Sequence, residues 1–162
     1  MPTRTTPPAT GTAGYFARLA AERPDIALCR ASTAVARAAD THAQALGTGV
    51  GQHLVLRMLD AVGPCSQRVL GEELRIDRTV MVGICDSLEA AGQVRRERDP
   101  ADRRAYAVTL TDAGREQLAR AEAAAPAFLD RTFAALTPAE RDQLAVLLGK
   151  LLHPADGGAT GA

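Results

Sequence analysis

The chain has 162 residues, 46% of them hydrophobic, with 19 basic and 19 acidic residues and a formal charge of zero, which leaves room for one substantial core and for no second independent domain. No apolar run approaches a bilayer's thickness and the start MPTRTTPPATGTAG lacks the apolar core of a secretion signal, so a cytoplasmic protein without membrane contact is expected. Cys29, Cys65 and Cys85 are an odd set without paired metal spacing and His42, His53 and His153 are dispersed, which disfavours a disulfide framework and a metal site.

Residues 1–23 read as an arm, at least partly disordered, because the stretch up to about Gly14 is rich in Pro, Thr and Gly and carries no apolar stripe. Residues 153–162 read as a similar tail. After Pro24, the positions Ile26, Cys29, Ala36, Ala39 and Ala43 predict a long helix rich in small residues, and Leu54, Val55, Met58, Leu59 and Val62 a second one ending at Gly63-Pro64. Ser66 is placed to cap a short helix running to Leu74, and Asp77 to cap the next. In that next helix Met81, Ile84, Cys85 and Leu88 make the buried stripe and Gly92 supplies a left-handed end. Two short helices joined at Arg75-Ile76 have helix-turn-helix proportions.

If the stripe points inward, Arg78, Thr79, Val82, Gly83, Asp86 and Ser87 point outward, with Val80 at the boundary. Arg78 suits the O6 and N7 acceptors of guanine, and Val82 a thymine methyl; burial of Val80 and Val82 against the preceding helix is the competing reading. Ser66, Gln67 and Arg68 stand where free amides and the positive end of a helix favour a phosphate oxygen, although capping alone accounts for Ser66 equally well.

The segment Gly92 to Gly114 predicts a β-hairpin. Tyr106, Val108 and Leu110 alternate with Ala105, Ala107 and Thr109, the period-two pattern of a half-buried strand, and Val94 to Arg98 can pair with it across the turn residues Asp99 to Asp102. The arginines Arg95, Arg96, Arg98, Arg103 and Arg104 crowd around that one turn, so the zero net charge conceals a basic edge. Beyond the hairpin, Thr111 caps a helix with Leu118 and Ala121 that Pro126 kinks or interrupts before Phe128, Leu129 and Phe133. Thr137, Pro138 and Glu140 then form a capping box with proline at the first helical position, followed by Leu144, Leu147, Leu148 and Leu151. The fold class is mainly α with a small β-hairpin wing.

The run DPADRRAYAVTLTDAG, with SLEAAGQVRR upstream, resembles the wing and flanks of the MarR family of winged helix-turn-helix transcription regulators. The likeness reaches from roughly Pro24 to Leu152, and Asp102, Arg104, Leu110, Thr111 and Gly114 stand at the family's spacing. It implies one domain over 24–152, with a winged helix-turn-helix lobe at 51–110 and dimerisation helices at 24–48 and 111–152. It also implies a homodimer that binds a pseudo-palindromic double-stranded DNA operator, most simply as a repressor, and that answers to a small aromatic or lipophilic effector without a cofactor. By resemblance Arg104 is the wing-tip arginine of the minor groove and Asp102 the carboxylate that orients it. Arg96, after the first wing strand, either meets the DNA backbone or pairs with Asp99 or Glu97. Arg98 belongs to the same basic edge, and Arg103 is either a phosphate contact or a solvated surface residue. Val80 and Val82 depart from the family, in which hydroxyl residues are common at those places.

Two readings on the same fold compete with this one. A winged-helix module that contacts a protein partner is favoured by the zero charge and the two valines, and a cysteine-based redox sensor is the other. For each of Cys29, Cys65 and Cys85 a buried inert thiol is the preferred reading. The leucine stripe of the last helix serves either a dimer or its own subunit's core. No nucleophile with a spaced base, glycine-rich phosphate loop or paired carboxylates point to an enzyme.

Overall fold

The computed structural model describes residues 14–98 and 106–152. The fold is mainly helical with one two-stranded antiparallel hairpin, and it divides into two compact units at the boundary between His42 and Ala43. That boundary falls inside a helix.

The first unit holds α1 (Tyr15–Glu22) and most of α2 (Pro24–Ala45). The sequence assigned no element to 15–23, yet α1 forms there, entered through Gly14 at φ 76° and closed by the Arg23 amide on the Leu19 carbonyl at 2.8 Å. No residue of α1 is buried, and Tyr15 and Phe16 are largely exposed. Arg23 holds both carboxylate oxygens of Asp25 at 2.9 and 2.6 Å across the start of α2. Cys29 is exposed, which corrects its reading as a buried thiol. The small side chains that made α2 legible as a helix give it little to bury, and Ala43 is its one buried residue.

The second unit continues through α3 (Val50–Val62), α4 (Gln67–Leu74), α5 (Arg78–Ala90), β1 (Val94–Arg98), β2 (Tyr106–Leu110), α6 (Asp112–Thr132) and α7 (Pro138–Leu152). Its core gathers apolar side chains from every element except α7: Val55, Leu56 and Leu59 from α3, Leu70 from α4, Met81, Cys85 and Leu88 from α5, Val94, Val108 and Leu110 from the hairpin, and Leu118 from α6. Each large side chain taken wholly out of water contributes roughly 1.5–3 kcal/mol. This shared core joins the helix-turn-helix and the hairpin into one lobe. Helix α3 approaches α5 closely at Gly51, where a Cβ would stand 2.7 Å from Cδ1 of Ile84, the movable end of a side chain.

In the hairpin, Val94 pairs with Leu110, Arg96 with Val108 and Arg98 with Tyr106. Cys65 adds a bridge to the free edge of β2, its carbonyl accepting the Val108 amide at 2.8 Å. Strict alternation fails in two places: Tyr106 is 53% exposed, and Ala107, expected on the outer face, is buried. Tyr106 closes the end of the strand and lies under the Arg98 guanidinium, 5.5 Å from its ring centroid, where a cation over a π-face favours exposure. The one-carbon side chain of Ala107 needs little cover on a strand flanked along both edges.

Thr111 caps α6, accepting the Gly114 amide at 3.1 Å while donating to the Gly92 carbonyl at 2.7 Å. The helix runs through Pro126 without interruption; the proline forfeits one hydrogen bond, to the carbonyl four residues earlier. At α7 the Thr137 amide and hydroxyl each donate to Glu140 at 2.8 Å, completing the predicted box. No described helix is long and apolar enough to cross a membrane.

Candidate nucleic-acid interface

Local chemistry sets the angle between α4 and α5. Ser66 accepts the Val69 amide at 3.3 Å and starts α4. The helix ends at Arg75, a non-glycine residue in left-handed conformation at φ 53°, and the Ile76 amide returns to the Gly71 carbonyl at 2.9 Å. A Cβ on Gly71 would lie 3.2 Å from the Ile76 carbonyl oxygen, so the tight turn favours glycine there. Asp77 then caps α5 by accepting the Thr79 amide at 2.8 Å.

The buried stripe of α5 leaves its opposite face in solvent, as the pattern predicts. Arg78, Thr79, Gly83 and Ser87 are exposed, and so are Val80 at 56% and Val82 at 41%, which excludes burial of either valine against α4. Two concavities flank the helix. One, of about 470 Å³, lies towards α4 and includes Gln67, Arg68, Arg78 and Val82. The other, of about 610 Å³, lies towards α3 and includes Gln52, Val80, Gly83 and Ser87. The candidate base readers are therefore split between two sides of the ridge.

Arg78 has no ion-pair partner among the described residues, which leaves its guanidinium available. Arg68 is tied to Glu72 at 2.8 Å, but both side chains are well exposed and such a surface pair is weak enough to exchange for a phosphate. Ser87 accepts a hydrogen bond from Gln52 at 2.8 Å and retains its own hydroxyl proton. Gln67 is half-buried, with its amide nitrogen covered and its side chain set against the Cys85 thiol.

The wing's first strand departs from expectation. Arg96 does not pair with Glu97, and Asp99 lies outside the described residues. Its guanidinium is engaged by Asp86 and Glu89 of α5, and its main-chain amide also donates to Glu89 at 3.1 Å. Burial works against its charge, yet the two carboxylates prevail and leave its pKa raised. Glu97 is held instead by Arg95 at 2.7 Å. Asp102, Arg103 and Arg104 lie outside the described residues.

Asp86 and Glu89 were not singled out as partners by the sequence, although they stand three residues apart on one helix face and shortly before a β strand. Gln52 was missed as well. Its side chain spans the Gly49 amide at 2.6 Å and Ser87, joining the start of α3 to the outer face of α5. Burial pushes the thiols of Cys85 and Cys65 up, away from the reactive thiolate. Among the described residues no cluster of three metal-ligating side chains occurs.

A sequence model described as the MarR family matches residues 46–105, the stretch from the start of α3 through β1. Among curated proteins, an HTH-type transcriptional regulator, YkoM, of Bacillus subtilis (strain 168) is 36% identical over 96 residues, 59% of this chain and 62% of that protein. This chain thus spans just under two thirds of the curated relatives it matches. Among solved structures, the transcriptional repressor CouR bound to a 23-mer DNA duplex is 34% identical with a TM-score of 0.72, over 78% of this chain and 89% of that one. Bordetella bronchiseptica BpsR, described for the regulation of its DNA binding by 6-hydroxynicotinic acid, is 30% identical with a TM-score of 0.72, over 78% of this chain and 91% of that one.

Proposed function

This chain belongs to the MarR family of transcription regulators, and on that premise we propose that it represses transcription by binding, as a homodimer, an operator with two half-sites about one helical turn, roughly 34 Å, apart. The observation that carries the reading is the exposed outer face of α5, with Arg78, which has no ion-pair partner among the described residues, at its start and an arginine-bearing hairpin at its end. A helix-turn-helix whose reading helix shows both polar and methyl-bearing groups matches the mixed donor, acceptor and methyl code of the major groove. Val80 and Val82 point to half-sites that present thymine methyls.

The supporting evidence for a dimer is the apolar surface of α7, where Val146, Leu147, Leu151 and Leu152 are between 49% and 64% exposed. A second copy is the partner that such a stripe fits, and two copies supply the two reading helices. The effector we propose is a small aromatic acid or related lipophilic compound, in line with the 6-hydroxynicotinic acid that regulates DNA binding by the BpsR relative. It would act by favouring one spacing of the two reading helices over another. Asp102 and Arg104 are assigned to the wing tip by family spacing, with Arg104 in the minor groove.

Selection of random duplexes by the purified chain, repeated at two salt concentrations, tests this. An enriched inverted repeat with half-sites one turn apart is the expected result. Uniform, weak, salt-sensitive binding would remove the sequence-reading function and promote the protein-interaction module, which the exposed Val80 and Val82 also fit. On the selected duplex, Arg104→Ala should reduce affinity on the order of ten-fold or more while leaving the melting temperature unchanged; equal affinity in a gel-shift titration would take the wing out of the mechanism.

A further inference from the structure

We propose that Arg96 is a positioning residue which fixes the wing on the recognition helix and neutralises that helix's own carboxylates, so that it governs DNA affinity without touching DNA. The inference rests on the DNA-binding reading above and assigns Arg96 a different role within it. Its two terminal nitrogens are committed, one to Glu89 and one to Asp86, and its amide holds the second oxygen of Glu89. Three bonds between one strand residue and two helix residues constrain both position and twist of β1 relative to α5, which a single surface pair does not.

Burial separates Arg96 from its neighbours. Its side chain is 24% exposed against 58% for Arg95, whereas its partners Asp86 and Glu89 keep 60% and 40% of theirs. The arginine is thus the covered member of the cluster and the acids are the open ones. Asp86 lies on the outward side of α5, beside Thr79 and Val82, so the helix offered to a DNA groove carries negative charge of its own. Left uncompensated, those carboxylates would repel the phosphates that the outer arginines attract. A phosphate-binding arginine needs a free nitrogen facing solvent; this one faces the helix.

A mutant cycle decides between strut and contact. The proteins are the wild type, Arg96→Met, the pair Asp86→Asn with Glu89→Gln, and the combination of all three, each titrated with the selected duplex at two salt concentrations. For a strut that also neutralises, Arg96→Met alone weakens binding roughly ten-fold, the acid pair alone weakens it less, and the triple variant matches the acid pair, because it loses the same tie but bares no carboxylate and coupled residues are not additive. A loss of equal size in both backgrounds, with the salt slope reduced by about one, overturns the proposal in favour of a direct phosphate contact. Hydrogen exchange of the β1 amides without DNA supplies the independent arm. Exchange should quicken in Arg96→Met and in Glu89→Gln alike, and unchanged exchange in both would overturn the strut. Should the wild type bind no duplex, the regulator reading falls while the exchange arm still decides whether Arg96 ties the wing to the helix.

Discussion

Gly114 shows how a single missing side chain holds the wing's base together. A Cβ there would meet the Gln93 carbonyl oxygen at 2.1 Å and Cδ1 of Leu110 at 2.7 Å, and a backbone carbonyl fixed by the adjoining strand cannot step aside. Gly114→Ala is therefore expected to destabilise the fold by about 1–3 kcal/mol, at the upper end of what overpacking costs, measured by denaturant unfolding. Gly51→Ala offers the contrast. Its nearest obstacle, Ile84, is a flexible side-chain end, so a distinctly smaller loss is expected in the same assay. If the two variants proved equal, the rigidity of the Gln93 carbonyl would not be what Gly114 protects. Gly114 was legible in the sequence as part of a motif, but the reason for it is a contact between residues 21 positions apart.

At the scale of the element, the capping box of α7 makes a prediction about pH. The Thr137 amide, and after it the Thr137 hydroxyl, hold the Glu140 carboxyl below its ordinary pKa. A carboxyl depressed in the folded state contributes stability that is present above its unfolded pKa and is lost as pH falls through the folded one. Thr137→Val removes the hydroxyl that both donates to Glu140 and accepts its amide, so it should lower the melting temperature at neutral pH. The gap from the wild type should shrink as pH falls below the ordinary glutamate range, and a gap independent of pH would show that the ionised carboxylate contributes nothing. Elements were the most legible part of this chain: Ser66, Asp77, Thr111 and Thr137 all cap as their neighbours predict. Caps act within three or four residues, a range that sequence exposes directly. The exception is α1, whose apolar positions Tyr15, Phe16 and Leu19 are passed over in the sequence because they follow a stretch rich in Pro, Thr and Gly and precede Pro24.

For the whole molecule the consequential surface is α7. Leu147 and Leu151 are one turn apart, 49% and 64% exposed, so placing a charge there costs the subunit's own core little. Under the dimer reading, Leu147→Glu with Leu151→Glu yields a folded monomer by sedimentation and loses tight binding to a two-half-site duplex while single half-site affinity persists. A wild type that sediments as a monomer would instead leave this stripe without its proposed role.

Periodicity, capping residues and the hairpin's turn chemistry were enough to read the helices from α2 to α7, both strands and the family likeness from the linear chain, because each is an arrangement among near neighbours. What the linear chain left open was pairing across distance. Arg96 had carboxylates close by at Glu97 and Asp99, yet folding brings it to Asp86 and Glu89 through the core contacts that seat β1 on α5. Val80 and Val82 had two admissible environments until the packing of α3 and α4 left both in solvent. Cys29 matched the habit of its residue type until its helix was found with little to cover it. Local sequence dictates which backbone state is cheap, whereas the partner of a charge and the cover over a methyl depend on which surfaces the whole core brings together.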